Sequence, residues 1–145
     1  MKIKHSLGRQ DPELIQHAFN VRKYVFTDEQ GFADEIDIDE YDDVALHVVV
    51  FDAENPIAVL RAVPQHNNIL KVGRVAVLKD YRGQGIGRLV MEYIESYARK
   101  NGVATMSLSS QCHAQPFYES LGYQTKGEIY MEDGAEHIFM ELDLL

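Results

Sequence analysis

Residues 82–88, Arg82-Gly83-Gln84-Gly85-Ile86-Gly87-Arg88, meet two requirements for holding a phosphate: backbone that can be approached closely, and fixed positive charge beside it. They follow the β-forming run Val75-Ala76-Val77. They open a segment whose apolar residues, Ile86, Leu89, Val90, Tyr93, Ile94 and Tyr97, recur at the spacing of one helical face. The glycines therefore sit at a helix N-terminus, where first-turn N–H groups lack partners within the helix and the peptide dipoles add partial positive charge. A diphosphate suits such a cradle. Two other phosphate loops fail on these letters. No lysine followed by Ser or Thr completes a P-loop, and G-x-G-x-x-G meets Arg88 when started at Gly83 and Val90 when started at Gly85. Without a ligand, the same residues make a glycine-rich turn from strand to helix.

A second chemical signal is acid. Asp34, Glu35, Asp37, Asp39, Glu40, Asp42 and Asp43 place seven carboxylates in ten residues. Mutual repulsion makes this a solvated loop, in which one or two carboxylates facing a cleft would attract a cationic amine. No register supplies the glycine at position six and glutamate at position twelve of an EF-hand. Just before it, Arg22 interrupts an apolar helical face of Leu14, Ile15, Ala18, Phe19, Val25 and Phe26; it either pairs with a carboxylate or contacts substrate.

The elements that must position these groups read in order. Residues 2–7 alternate as a first strand. Asp11-Pro12 gives an N-cap and a proline at the first helical position. Residues 45–51 and 57–63, separated by Asp52-Ala53-Glu54-Asn55-Pro56, form a hairpin, and Gln65-His66-Asn67-Asn68 turns into the strand that feeds the glycine loop. The following helix ends near Lys100-Asn101-Gly102, and residues 103–109 give a strand that a right-handed crossover places parallel to its predecessor. Residues 124–130 and 136–142 close the chain as a hairpin around Glu132-Asp133-Gly134.

Composition bounds the partners. The chain of 145 residues is the size of one domain, and 46% hydrophobic with 26% charged residues is ordinary for a globular fold. Fourteen basic against 23 acidic residues leave a net charge of −9, which disfavours a nucleic-acid partner. The longest apolar run is far short of a membrane span, so no membrane partner is expected. The start, Met1 to His5, lacks the apolar core of a signal peptide, and a cytoplasmic location is expected. One cysteine, Cys112, excludes a disulfide framework and a cysteine-based metal cluster; no metal is expected.

Arg82-x-x-Gly85-x-Gly87, directly after Val75-Ala76-Val77, resembles the acetyl-coenzyme A signature of the GNAT superfamily of N-acetyltransferases. Three further runs narrow this to a resemblance to its ElaA/YjcF-like branch over nearly the whole chain. They are Val25-Phe26-x-x-Glu29-Gln30, Gln111-x-x-Ala114-x-x-Phe117-Tyr118, and Glu132-Asp133-Gly134-x-x-His137-Ile138-x-Met140. Gln111 stands where the family usually has asparagine; Leu121-Gly122-Tyr123 keeps the family's usual end of that run. The resemblance implies a single domain over residues 1–145, of mixed α/β class. Its sheet would be mostly antiparallel, of about seven strands, with one splayed parallel pair and about four helices.

It also implies the chemistry. Acetyl-CoA would be the co-substrate, held by the backbone of Val75, Ala76 and Val77, by Arg82, Gly83, Gln84, Gly85, Ile86, Gly87 and Arg88, and by Gln111, Ala114, Phe117 and Tyr118. The acceptor would be a small-molecule amine or a protein lysine or N-terminus, attacked directly in a ternary complex by a monomer or homodimer. Tyr118 would be the general acid, since a phenol near 10 lies above a thiol near 8.5. The Val77 N–H would be the oxyanion donor. Glu29 ranks ahead of His113 and His137 as base, a water chain being the alternative to any single base, with Arg22, Glu29 and His137 toward the amine. Cys112, beside His113, reads as a passive small residue, because neighbours along a strand or helix point apart. The rivals are a weakly active acyl-CoA sensor and a transferase of longer acyl chains.

Overall fold

Strand β2 (Leu46–Asp52) is buried along nearly its whole length and β3 (Asn55–Gln65) through its middle, residues 57–62. That is why they read as near-continuous apolar runs rather than alternating ones. In the computed structural model, which describes residues 1–33 and 37–145, they lie near the middle of a seven-stranded sheet with order β1-β2-β3-β4-β5-β7-β6. The other strands are β1 (Lys2–Leu7), β4 (Ile69–Val77), β5 (Thr105–Gln111), β6 (Gln124–Glu132) and β7 (Ala135–Asp143). Only β4 and β5 pair in parallel; every other neighbour is antiparallel. The expected mixed α/β class, seven strands and single parallel pair are all present.

Three α-helices occur among the described residues: α1 (Pro12–Arg22), α2 (Ile86–Lys100) and α3 (Gln115–Ser120). The Asp11 carboxylate caps α1 by accepting from the Leu14 N–H at 3.0 Å, with proline at the first turn. Past Arg22 the helix widens into a π-helical segment, Lys23–Glu29. Strand parity divides the core. Val48, Val50, Ala58 and Leu60 pack with Val90, Ile94 and Ala98 of α2, whereas Val49, Phe51 and Val59 pack with Leu14, Ala18 and Val21 of α1. The buried line on α2 runs Ile86–Val90–Ile94–Ala98 with Met91 beside it. Leu89, expected on that face, lies off its edge and is 40% exposed.

Two irregularities shape the site. Parallel pairing of β4 with β5 covers only Ile69↔Thr105 to Val72↔Leu108, although β4 continues to Val77 and β5 to Gln111. Just beyond the last pair, β3 advances two residues, from Arg61 to Val59, while β4 advances three, from Gly73 to Ala76. The extra residue makes a β-bulge, with Arg74 in the left-handed region at φ 51°. A bulge bends and twists its strand; here it turns β4 away from β5 and leaves the two ends splayed.

Candidate functional site

A non-glycine residue in the left-handed region costs about 1–2 kcal/mol, and the surroundings of Arg74 offset this. Its Nε donates to the Asp37 carbonyl at 3.0 Å, and its Nη2 lies 3.3 Å from Asp39 Oδ2. Register pairs His47 with Arg61 at the polar end of the α1 face, and Arg22 arrives there from the end of α1. Arg22 Nη1 donates to Asp42 Oδ1 at 2.7 Å and its Nε to Asp37 Oδ1 at 3.2 Å. Arg61 bridges Asp39 at 2.6 Å and Asp42 at 3.0 Å. Three guanidiniums and three carboxylates thus close into a cluster that is buried at Arg22, Arg61, Asp37 and Asp42 and partly exposed at Arg74 and Asp39. Burial alone would raise the Asp42 carboxyl, but hydrogen bonding and charge from Arg22, the Asp39 N–H and Arg61 together hold it at about 2.

The acidic run is only in part the solvated loop expected: Glu40 and Asp43 are exposed, whereas Asp37 and Asp39 border the cleft described below. Asp37 and Asp42 are 3% and 0% exposed, and with Asp39 they neutralise arginines instead of lining an open anionic surface. Asp34 and Glu35 lie outside the described residues. Arg22, expected toward the amine, is 1% exposed with its donors engaged, so its place is structural. Arg61 and Arg74 were missed. Their signal was Arg61 inside an apolar strand and a surplus of carboxylates needing counter-charge.

At the glycine loop, α2 begins at Gly85 with φ 80° and has no side-chain cap. The first helical bond of α2 is from the Leu89 N–H to the Gly85 carbonyl at 3.0 Å, so the Ile86, Gly87 and Arg88 amides precede the ladder. A Cβ placed on Gly83 or Gly85 would meet nothing within 4 Å, so the space an anion needs is open. Gly87 has a different reason: a Cβ there would come 3.2 Å from Phe117 Cζ. Ile86 offers only its backbone, because its side chain is in the core.

Arg82 is committed elsewhere. Its two Nη groups donate to the two carboxylate oxygens of Glu29, and its Nε donates to the Val77 carbonyl at 2.9 Å. Hydrogen bonding from Arg82, with its charge, holds the Glu29 carboxyl below its ordinary value; Glu29 does not pair with Arg22 and does not line the cleft. Arg88 is half exposed and donates to Ser120 Oγ at 3.2 Å, and Gln84 donates to the Asp80 carbonyl at 3.2 Å. The Leu78 N–H donates to the Ile57 carbonyl at 2.8 Å, so Val77 and Ala58 form the kind of antiparallel pair whose amides face outward. Val77 thus turns its N–H toward the splay. Ala76 points its side chain into the α1 core.

A cleft of about 650 Å³ opens at the splay. Val75, Gln111, Ala114, Tyr118 and His137 line it, so five expected residues share one cavity. Tyr118 is 9% exposed, its ring 5.0 Å from that of Phe117, and burial pushes its phenol up from 10. Among the described residues no protein group hydrogen-bonds its hydroxyl. Gln111 Nε2 donates to Gln30 Oε1 at 3.1 Å, tying β5 to the π-helical segment. His113, also lining the cleft, is exposed, and Cys112 is half-buried.

Comparison with known proteins agrees with this geometry. The family description "Acetyltransferase (GNAT) domain" matches residues 15–144. YjcF of Bacillus subtilis (strain 168), described as an uncharacterized N-acetyltransferase, is 34% identical over 132 residues, 90% of this chain and 94% of its own. The crystal structure of Escherichia coli ElaA superposes with a TM-score of 0.86 at 25% identity, covering 97% of each chain. An aminoglycoside 6'-N-acetyltransferase solved with coenzyme A shares the fold, with a TM-score of 0.76 at 16% identity over 100% of this chain and 98% of that one. An uncapped helix behind open glycines, a parallel pair that parts at its end, and the family match over most of the sequence lead to one assignment: the chain belongs to the GNAT acetyltransferase family.

Proposed function

We propose that this acyltransferase moves an acetyl group from acetyl-CoA to a primary amine by direct transfer while both are bound. The observation that carries the reading is the splay. It lies between a helix N-terminus with free amides and a buried tyrosine whose hydroxyl has no protein partner among the described residues. Acetyl-CoA supplies, when bound, a thioester carbonyl for the amine and a thiolate to depart. The Ile86, Gly87 and Arg88 amides hold its pyrophosphate, with open space at Gly83 and Gly85 for close approach. The Val77 N–H, facing the splay, donates toward the thioester oxygen.

Tyr118 holds a proton at the departing sulfur. Burial keeps the phenol protonated throughout any ordinary assay range, which is the state a donor needs. Glu29 acts by pinning Arg82 beside the strand end, since a carboxylate so paired is a weak base. The test is calorimetry with acetyl-CoA followed by thiol release across a panel of primary amines, repeated with longer acyl-CoAs. Acetyl-CoA binding and acetyl transfer to some amine are the expected results. No binding overturns the reading, and faster transfer of a longer chain replaces the acetyl group in it.

A further inference from the structure

At the far wall of the cleft, β5 and β7 bring Gln111 opposite His137, and the hairpin to β6 brings Tyr130 opposite His137. His137 is 7% exposed and lines the cleft. Its Nδ1 lies 2.9 Å from the Ala135 carbonyl. A carbonyl can only accept, so Nδ1 carries a hydrogen and Nε2 is the free nitrogen. Nε2 lies 3.5 Å from Glu132 Oε2, a second acceptor. A proton taken onto Nε2 is therefore met by that carboxylate. Glu132 is itself held: Ser109 Oγ donates to Oε2 at 3.1 Å and also contacts the Tyr130 hydroxyl, and the Tyr130 ring stacks on His137.

We infer that His137 is the general base, taking a proton from the acceptor's ammonium group onto Nε2, with Glu132 stabilising the imidazolium and Ser109 and Tyr130 positioning Glu132. The inference rests on the acyl-transfer reading above. The balance is as follows. The ammonium N–H bond breaks and an Nε2–H bond forms; the freed amine forms the C–N bond as the C–S bond breaks. Tyr118 gives its proton to the sulfur and is reloaded from the new amide nitrogen. The His137 proton leaves to solvent. Net, an ammonium ion and a thioester become an amide, a thiol and one proton. The other titratable groups against the ring are Tyr130 and Glu132 on β6; Asp133 in the turn, His113 after β5, Lys71 and the neutralised arginine–aspartate cluster also border the cleft.

The test is the pH dependence of kcat/KM for His137→Gln, with the best amine from the panel and with acetyl-CoA affinity measured in parallel. At pH 7 the variant is expected to lose about 100-fold or more and to recover as pH approaches the acceptor's own ionisation, while acetyl-CoA affinity stays unchanged. A loss uniform across pH, or no loss, overturns the assignment. Glu132→Gln keeps the ring and removes its counter-charge, so it serves if His137→Gln does not fold. It should move the ascending limb of the wild-type profile to lower pH, and an unmoved limb overturns the proposal. If the wild type acetylates no amine, the acyl-transfer reading falls and takes this one with it. If it does and His137→Gln shows a wild-type profile, only the base assignment falls.

Discussion

Asp42→Asn removes one charge from a site where three guanidiniums and three carboxylates balance. The Asp42 carboxyl ionises at about 2 in the fold against an ordinary 3.8. Nearly two pH units at 1.36 kcal/mol each give about 2 kcal/mol of stability from this group's ionisation. The sign follows from a lowered value: the contribution is complete above pH 3.8 and is lost as pH falls through 2. Substitution costs more than protonation, because Arg22 and Arg61 then keep buried charge without an adequate partner. Breaking a buried pair from one side costs about 3–5 kcal/mol, a large part of a typical domain's 5–15 kcal/mol. The assay is urea unfolding of wild type and Asp42→Asn at pH 7 and at steps from pH 5 to pH 2. Wild type should lose about 2 kcal/mol more than the variant over the acid window, so the gap between them narrows as pH falls. Parallel acid profiles, or a pH 7 difference under 1 kcal/mol, would refute the cluster as the anchor of the bulge.

Tyr118→Phe should lower turnover about 10-fold or more while calorimetry shows acetyl-CoA binding retained; unchanged turnover removes Tyr118 as the donor. Because burial raises its phenol, wild-type activity should show no loss from Tyr118 ionisation up to pH 10, checked by overlaying the alkaline limbs of wild type and Tyr118→Phe. Gly87→Ala sets a methyl 3.2 Å from Phe117 Cζ, with an expected overpacking cost of about 1 kcal/mol read as a lower Tm; a Tm equal to wild type would show that Phe117 moves aside freely. Glu29→Gln should leave the shape of the pH–rate profile intact while weakening the hold on Arg82, and a lost ascending limb would return Glu29 to the role of base.

Local signals carried most of the fold. The Asp11-Pro12 cap, the hairpin around residues 52–56 and the helix after the glycines depend on near neighbours, and each appears where the letters place it. The splay was not legible from spacing, because it follows from one extra residue in β4 relative to β3, and a bulge at Arg74 leaves no mark in composition. Gly87 was legible as a glycine but not for its reason, since Phe117 lies thirty positions away in sequence and meets it only after folding. His137, Glu132, Ser109 and Tyr130 come from three strands, and no linear pattern announces their convergence.

The acidic run shows why charge read along a chain misleads about a site. Seven carboxylates in ten residues suggest a surface that draws in cations, but a buried carboxylate is tolerated only with a partner. Arg22, Arg61 and Arg74, from a helix end and two strands, are those partners for Asp37, Asp39 and Asp42. Counted together, the six are neutral. The field an acceptor meets is then set by what is left on the described walls of the cleft: Lys71 on β4, opposed by Glu132 and Asp133 at the hairpin. On the reading proposed above, an ammonium group is favoured near the hairpin, beside His137, and any anionic part of the acceptor near Lys71. Selectivity among amines should therefore respond to Lys71→Met through KM for acceptors that carry a carboxylate, and little for those that do not.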